Sequence, residues 1–108
     1  MKAQQIFNKV KNHLLKQNKK AIYNGNCAYK HDGMSCAIGC LIPDDVYLPE
    51  MEGYSIGALV NLFDLPEYLL DNFHLLIELQ KIHDESNPKM WKKELTQLAN
   101  KQHLNSAR

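Results

Sequence analysis

Apolar residues recur every three or four positions in three separate stretches of this chain. The first stretch is residues 3–17, the second is residues 67–83, and the third opens at Asn87. Such spacing places the apolar side chains of each stretch on one face of an α-helix, where they can pack against the other helices. The sequence therefore predicts a mainly α fold, a small single-domain helical bundle.

Two turn signals follow the first helical stretch. Asn24-Gly25 and Asp32-Gly33 enclose a short segment that lacks the helical period. Asx-Gly pairs suit the positive φ angles of tight hairpin turns. We therefore expect a short β-hairpin insert near residues 26–37.

A single domain over residues 1–108 follows from length and composition. The chain has 108 residues, of which 44% are hydrophobic and 23% are charged, so it can build one core and is neither disordered nor fibrous in composition. No stretch is long and apolar enough for a bilayer span, and residues 1–5 do not resemble a secretory signal. We expect a cytoplasmic protein without a membrane partner; these features leave its oligomeric state open.

Charge is distributed unevenly along the chain. Residues 1–31 carry a formal charge of +7, residues 32–86 carry −10 and residues 87–108 carry +4, for a net charge of +1. An acidic centre between two basic ends can be neutralised inside the fold or displayed on opposed faces.

The lysine-rich terminal helices are candidates for binding nucleic acid. If these two helices pack side by side, they form one basic face that contains Lys2, Lys9, Lys16, Lys89, Lys92 and Lys93. Lysine contacts to phosphates are sensitive to salt and blind to sequence, and the only arginine is Arg108. Nucleic-acid binding is therefore our second alternative, because lysine-rich helix faces are commonly just solvated surface.

The three cysteines are candidate metal ligands. Cys27, Cys36 and Cys40 are odd in number, which argues against a disulfide framework, and His31 or His83 could complete a zinc site. However, the chain has no Cys-x-x-Cys pair, and free cysteines are commonly buried in cores. We therefore predict no cofactor and keep a zinc site as an alternative.

The same cysteines are candidates for thiol catalysis. Residues 35–42 suit a strand or, as we expect, a short helix capped by Ser35, with Cys36 at its start, where the helix dipole lowers the pKa of a thiol. His83 and Asp84 could then act as the base and its orienting carboxylate. His83 also lies on the apolar side of its helix, where a histidine is commonly a core residue. We therefore predict a non-enzymatic protein and keep thiol chemistry as part of the first alternative.

Two motifs give the chain a resemblance to a known group. The first runs Cys27-Ala28-Tyr29-Lys30, then from Cys36 to Tyr47 and on to Glu52-Gly53; the second is Leu79-Gln80-Lys81-Ile82-His83-Asp84, followed by Trp91. Together they resemble small uncharacterised proteins encoded by bacteria and their phages. The resemblance implies a bacterial or phage origin and brings no activity, ligand or catalytic residue with it.

The acidic segment after the cysteines favours protein binding. Acidic, aromatic and methionine side chains alternate there, and we take as partner-binding residues Asp44, Asp45, Tyr47, Glu50, Met51, Glu52 and Tyr54. An apolar centre with a charged rim is typical of protein interfaces. We therefore predict a protein-binding module, an inhibitor or adaptor that acts on a host or cognate protein. The alternative is an ordinary loop that packs its apolar residues inward.

Overall fold

The structure, a computed structural model, describes residues 1–105, so Arg108 of the predicted basic helix lies outside the described residues. Within that part of the chain the fold is mainly helical, with the helices α1 Ala3–Gln17, α2 Ile56–Leu62, α3 Glu67–Asp71, α4 Phe73–Glu85 and α5 Trp91–Lys101. The predicted fold class is confirmed. No helix in residues 1–105 combines the length and the apolar character that crossing a membrane requires.

Helices α1, α4 and α5 surround the core. Helix α1 lies beside both α4 and α5, and α4 also contacts α5. Their fully buried side chains include Ile6, Phe7, Val10, Leu14, Leu76, Leu79, Trp91 and Leu95. Complete burial of a large apolar side chain contributes about 1.5–3 kcal/mol, so this apolar face holds the three helices together.

The limits of α1 match the sequence pattern. Asn18, with φ 54°, ends the helix in the left-handed conformation, and its backbone N–H donates to the Leu14 carbonyl at 2.8 Å. Asparagine tolerates this conformation better than most residues, which explains why the helix stops there.

Two hairpins, rather than one, follow α1. Their strands are β1 Ile22–Tyr23 paired with β2 Asn26–Cys27, and β3 Lys30–His31 paired with β4 Met34–Ser35. Both residues of Asn24-Gly25 and both residues of Asp32-Gly33 have positive φ, as a type I′ turn requires. The second hairpin confirms the predicted insert. The first begins earlier than expected because each Asx-Gly pair forms its own turn.

The helix that Ser35 was expected to cap does not form. Ser35 is the last residue of β4, and its backbone N–H donates to the Gln17 side chain at 3.0 Å. After it the chain forms a single short 3-10 helix, Gly39–Leu41. Pairing with β3 and binding to α1 thus override the local capping signal, and Cys36 does not lie at the N-terminus of an α-helix.

Side chains cap two of the later helical segments. The Ser55 hydroxyl accepts a hydrogen bond from the Ala58 N–H and caps α2, and Asn87 accepts one from the Lys89 N–H where the third predicted stretch opens. The second predicted stretch, residues 67–83, is divided between α3 and α4 at Asn72.

Gly39 lies where the 3-10 helix touches the link between the two hairpins. A Cβ at this position would stand 1.8 Å from the Tyr29 carbonyl oxygen. Since backbone atoms cannot yield to such a contact, only glycine allows the two segments to approach this closely.

We therefore expect Gly39→Ala to lower the free energy of unfolding by at least about 2 kcal/mol, because an added methyl group forces the backbone apart. Urea denaturation followed by circular dichroism measures this loss. Gly57→Ala is the matched control, since the nearest atom to its Cβ is 3.9 Å away and alanine favours the helix. Equal stability of the two variants would contradict the close approach.

Candidate functional site

Three side chains capable of chemistry meet where the first hairpin contacts α4. Cys27 of β2 lies beside His83 and Asp84, and one potential ligand atom from each residue lies within 4.8 Å of the other two. Gln80 joins them from one turn earlier on α4, because residues three and four apart share a helix face. We call these four residues the Cys27 cluster.

His83 is fixed on every side. Its ring is fully buried and stacks on Trp91, with the ring centroids 5.6 Å apart. Its Nε2 accepts a hydrogen bond from the Ala21 N–H at 3.1 Å, and its Nδ1 lies 2.7 Å from Asp84 Oδ1. Since the N–H of Ala21 points at Nε2, the neutral ring carries its proton on Nδ1 and donates it to Asp84.

Gln80 connects the cluster to the rest of the fold. Its Nε2 donates to Cys27 Sγ at 2.9 Å and to Asp84 Oδ1 at 2.8 Å. Its Oε1 accepts a hydrogen bond from the Ile38 N–H at 3.1 Å, which determines which end of the amide faces the cluster. One side chain thus joins α4, β2 and the segment that leads into the 3-10 helix.

These contacts shift the pKa values of the α4 pair. Burial raises the pKa of Asp84, but the hydrogen bonds from His83 and Gln80 outweigh it and the pKa lies below its usual range. Burial lowers the pKa of His83, whereas its hydrogen bond with Asp84 and the neighbouring Cys27 thiol raise it, and the net shift is upward. A second proton on the ring would face the Ala21 N–H, so the ring can accept it only if that contact opens.

The cluster differs from the set of residues that the thiol-catalysis alternative required. Cys27, rather than Cys36, accompanies His83 and Asp84. A histidine that activates a thiol needs a free ring nitrogen, but here Nδ1 is engaged by Asp84 and Nε2 by the Ala21 N–H. Contact with Cys36 and burial also raise the pKa of the Cys27 thiol. The arrangement therefore lacks the base that nucleophilic catalysis requires.

A cation at the centre of the cluster would collide with the Gln80 amide. Its nitrogen lies 2.9 Å from Cys27 Sγ, 3.5 Å from His83 Nδ1 and 2.8 Å from Asp84 Oδ1. Zinc requires bonds of about 2.0–2.3 Å to such atoms. Because the hydrogen bond from Ile38 holds the amide in place, this space already contains a hydrogen-bond donor.

The other proposed zinc ligands lie elsewhere. The Cys40 thiol donates to the Ala37 carbonyl at 3.2 Å, and the His31 ring packs against Tyr23 with the ring centroids 4.4 Å apart. Within residues 1–105, Cys27, His83 and Asp84 form the only group of three close enough to share a metal ion. Within the described residues Cys36 and Cys40 are therefore not grouped with His31, as the zinc alternative required.

Cys27 borders open space on the surface. Three neighbouring hollows of about 340, 230 and 200 Å³ all include it in their walls. Tyr54 and Asp84 line the largest of these, which we call the Cys27 hollow. A small molecule can therefore reach this half-buried thiol from solvent.

Glu52 anchors the acidic segment to the hairpins. Its carboxylate accepts hydrogen bonds from the backbone N–H groups of Tyr29 and Lys30, at 2.8 and 3.0 Å, and from the Tyr47 hydroxyl. Met51, only 1% exposed, belongs to the core. Tyr47, Met51 and Glu52 therefore serve the fold, as the alternative of an ordinary inward-packing loop required.

The remaining partner-binding candidates face solvent. Asp44, Asp45, Glu50 and Tyr54 are exposed, as is Leu48 between them. Asp44 forms an ion pair with Lys30 at 2.8 Å, and this hydrogen bond lowers the pKa of its carboxyl group. The segment is thus divided into an inner half that anchors it and an outer half that could bind a partner.

The two basic helices do pack together, but the lysines of α1 point elsewhere. The Gln4 side chain of α1 points towards the segment that follows α5. It forms two hydrogen bonds with the backbone of Asn105, of 2.8 and 2.7 Å. At 100° per residue, Lys9 lies about 140° around α1 from Gln4, and Lys2 and Lys16 share its stripe. The α1 stripe therefore faces away from the flank on which Gln4 lies, while Lys89, Lys92 and Lys93 are exposed at the start of the last helical segment.

Comparisons with models of known protein families, with curated proteins and with solved structures found no match. The site therefore has to be interpreted from its own geometry. Sequence reasoning missed Gln80, although one signal was available: Gln80, His83 and Asp84 are spaced so that their polar groups share one side of a helix.

We expect Gln80→Leu to destabilise the fold by about 1–3 kcal/mol, because it leaves the Ile38 N–H without its partner and removes both donations into the cluster. Urea denaturation measures the loss. The exposed Gln97 of α5 provides the control, and Gln97→Leu should change stability by less than about 0.5 kcal/mol. A Gln80→Leu variant as stable as the control would show that the bridge is not needed.

The lowered pKa of Asp84 predicts a pH-dependent contribution to stability. Because the folded state favours the ionised carboxylate, its contribution is present above the unfolded pKa, about 3.9, and is lost as pH falls through the folded pKa. Asp84→Asn should therefore lower stability more at neutral pH than below about pH 3. Urea denaturation across this pH range measures the loss of stability, with Asp45→Asn at an exposed position as the control. If the prediction is wrong, the loss caused by Asp84→Asn will be the same at every pH.

Proposed function

We propose that this chain is a protein-binding module that contacts its partner through the outer half of the acidic segment. This surface, which we call the acidic loop face, consists of Asp45, Leu48, Glu50 and Tyr54. The observation that supports it best is the Glu52 anchor, which holds the segment in one conformation while large apolar side chains remain in solvent.

The exposure of Leu48 and Tyr54 is the first argument. Each is 45% exposed, although the same segment buries Met51 almost completely. Exposed apolar side chains beside charges are typical of surfaces that bind other proteins. Since the Glu52 hydrogen bonds already order the backbone, little conformational entropy would be lost on binding.

The unpaired charge is the second argument. Within residues 1–105 Lys30 pairs with Asp44, whereas Asp45 and Glu50 form no ion pair. Unpaired carboxylates around an apolar centre favour a partner with basic and apolar groups, and they speed its approach. The resemblance to bacterial and phage proteins adds a host protein as the proposed class of partner, which the chain would inhibit or recruit.

A randomised peptide display library tests this proposal. The native chain should select peptides that combine lysine or arginine with apolar residues, and Leu48→Ser should weaken their binding at least about tenfold. Leu70→Ser is the matched control, because Leu70 on α3 is also 45% exposed but lies outside the acidic loop face. Selection of acidic peptides, or equal losses in both variants, would overturn the proposal.

The alternatives make different predictions. A zinc protein would contain stoichiometric zinc by elemental analysis and its thiols would be protected from titration, and a nucleic-acid binder would shift DNA or RNA at low salt. If either result is obtained and no peptide is selected, the competing function replaces protein binding through the acidic loop face.

A further inference from the structure

A single carboxylate gives the Cys27 hollow its charge. Asp84 lines the hollow from α4 with a side chain that is 39% exposed, and among the described residues no lysine, arginine or histidine lines it. Although burial opposes them, the hydrogen bonds from His83 and Gln80 keep the pKa of Asp84 below its usual range, so the carboxylate is ionised at neutral pH. A concave surface with one sign of charge attracts ligands of the opposite sign.

The Asp84 carboxylate is held in place and still has an oxygen for a ligand. His83 Nδ1 and Gln80 Nε2 both bind its Oδ1, at 2.7 and 2.8 Å, which leaves Oδ2 as an acceptor. The ammonium group of Lys20 donates to the backbone carbonyl of Asp84 at 2.9 Å, and Lys20 lines a neighbouring hollow instead. No cation of the described residues therefore fills the Cys27 hollow.

The hollow also contains a residue of the acidic loop face. Tyr54 lines it and is 45% exposed. The backbone carbonyl of Tyr54 accepts a hydrogen bond from the Tyr29 hydroxyl, which ties this end of the loop to the hairpins. Aromatic rings attract cations to their faces, so the hollow combines an ion-pair partner with a stacking surface.

These two features favour arginine over lysine. The guanidinium group is planar, is more weakly hydrated than an ammonium group and has several donors, so it can stack on a tyrosine while it donates to a carboxylate. The hollow measures about 340 Å³, which is near the lower end of the range of roughly 300–1,000 Å³ for ligand sites. One side chain of a larger partner therefore suits it better than a whole small molecule.

We propose that the Cys27 hollow is the pocket that receives an arginine side chain of the partner protein, with Asp84 as its ion-pair partner and Tyr54 as its stacking surface. This inference rests on the proposed function, because Tyr54 belongs both to the hollow and to the acidic loop face. It specifies one side chain of the partner and gives Asp84 a role in binding besides its role in the fold.

Titration of the native chain with a capped arginine tests the pocket without a partner. The probe is N-acetyl-arginine methylamide, and backbone amide shifts in the NMR spectrum of the ¹⁵N-labelled chain report its binding. We expect the largest shifts at Asn26, Gly53 and Ser55, which line the hollow. The corresponding citrulline probe has a neutral group of nearly the same shape and should bind at least about threefold more weakly.

Three results of this titration would overturn the proposal. The first is the absence of shifts at the hollow, and the second is equal binding of the arginine and citrulline probes. The third is tighter binding of free arginine than of the capped probe, because the hollow would then be a site for the amino acid rather than for a partner's side chain.

Two variants test the role of the carboxylate. Asp84→Asn should remove the preference for the arginine probe over the citrulline probe. Asp71→Asn makes the same chemical change at an exposed position of α3, outside the hollow, and should keep the preference. Thermal melting checks that each variant is folded, and the two probes on the native chain decide the proposal if Asp84→Asn is not. A preference that survives in folded Asp84→Asn would contradict the assignment.

Failure of the pocket and failure of the acidic loop face give different results. If the selected peptides bind through Leu48 but lose no affinity when their arginines are replaced by citrulline, the pocket is overturned and the acidic loop face stands. If Leu48→Ser leaves peptide binding unchanged, the acidic loop face is overturned, and the arginine and citrulline probes still decide whether the hollow binds arginine.

Discussion

The hydrogen bonds of the Gln80 side chain are the interactions on which the packing of the hairpin region against α4 depends most. Its amide has one acceptor and one donor end, and each binds a different part of the chain: Ile38 on one side, Cys27 and Asp84 on the other. Because both hairpins lack long strands, they have few hydrogen bonds of their own. A partly buried polar bridge therefore holds the first hairpin, and the segment that follows the second, against α4 in a way that apolar contact alone would not.

Local signals were sufficient for the parts of the fold that are locally determined. The period of apolar residues predicted α1 at its observed limits, and the Asx-Gly pairs predicted hairpin turns. Ser35 shows where this reasoning fails. Its sequence context suits a helix cap, but contacts with Gln17 and the strand partner Lys30 place it in β4. Such contacts join distant residues, and no local pattern announces them.

The residues of the candidate site also fall into those that the sequence indicates and those that only tertiary contacts determine. His83 and Asp84 were recognised as candidates because a histidine followed directly by an aspartate is visible in the sequence. The choice between Cys27 and Cys36 depended on which cysteine meets α4, more than forty positions away along the chain. Likewise, Glu52 belongs to the fold because the backbone N–H groups of Tyr29 and Lys30 bind its carboxylate, and Met51 belongs to it because its side chain is buried in the core. In the sequence, neither residue is distinguished from the exposed Glu50.

The packing of α1 against α5 also has a consequence for biosynthesis. Helix α1 is synthesised before α4 and α5, although these two helices supply much of its cover, together with the 3-10 helix Gly39–Leu41. Until α4 and α5 are made, Phe7 and its apolar neighbours are only partly covered, and nascent chains with such exposed faces tend to aggregate. We expect the charge of the lysine stripe along α1 to keep the incompletely covered helix soluble. That stripe can therefore serve the growing chain even if it binds nothing in the finished one.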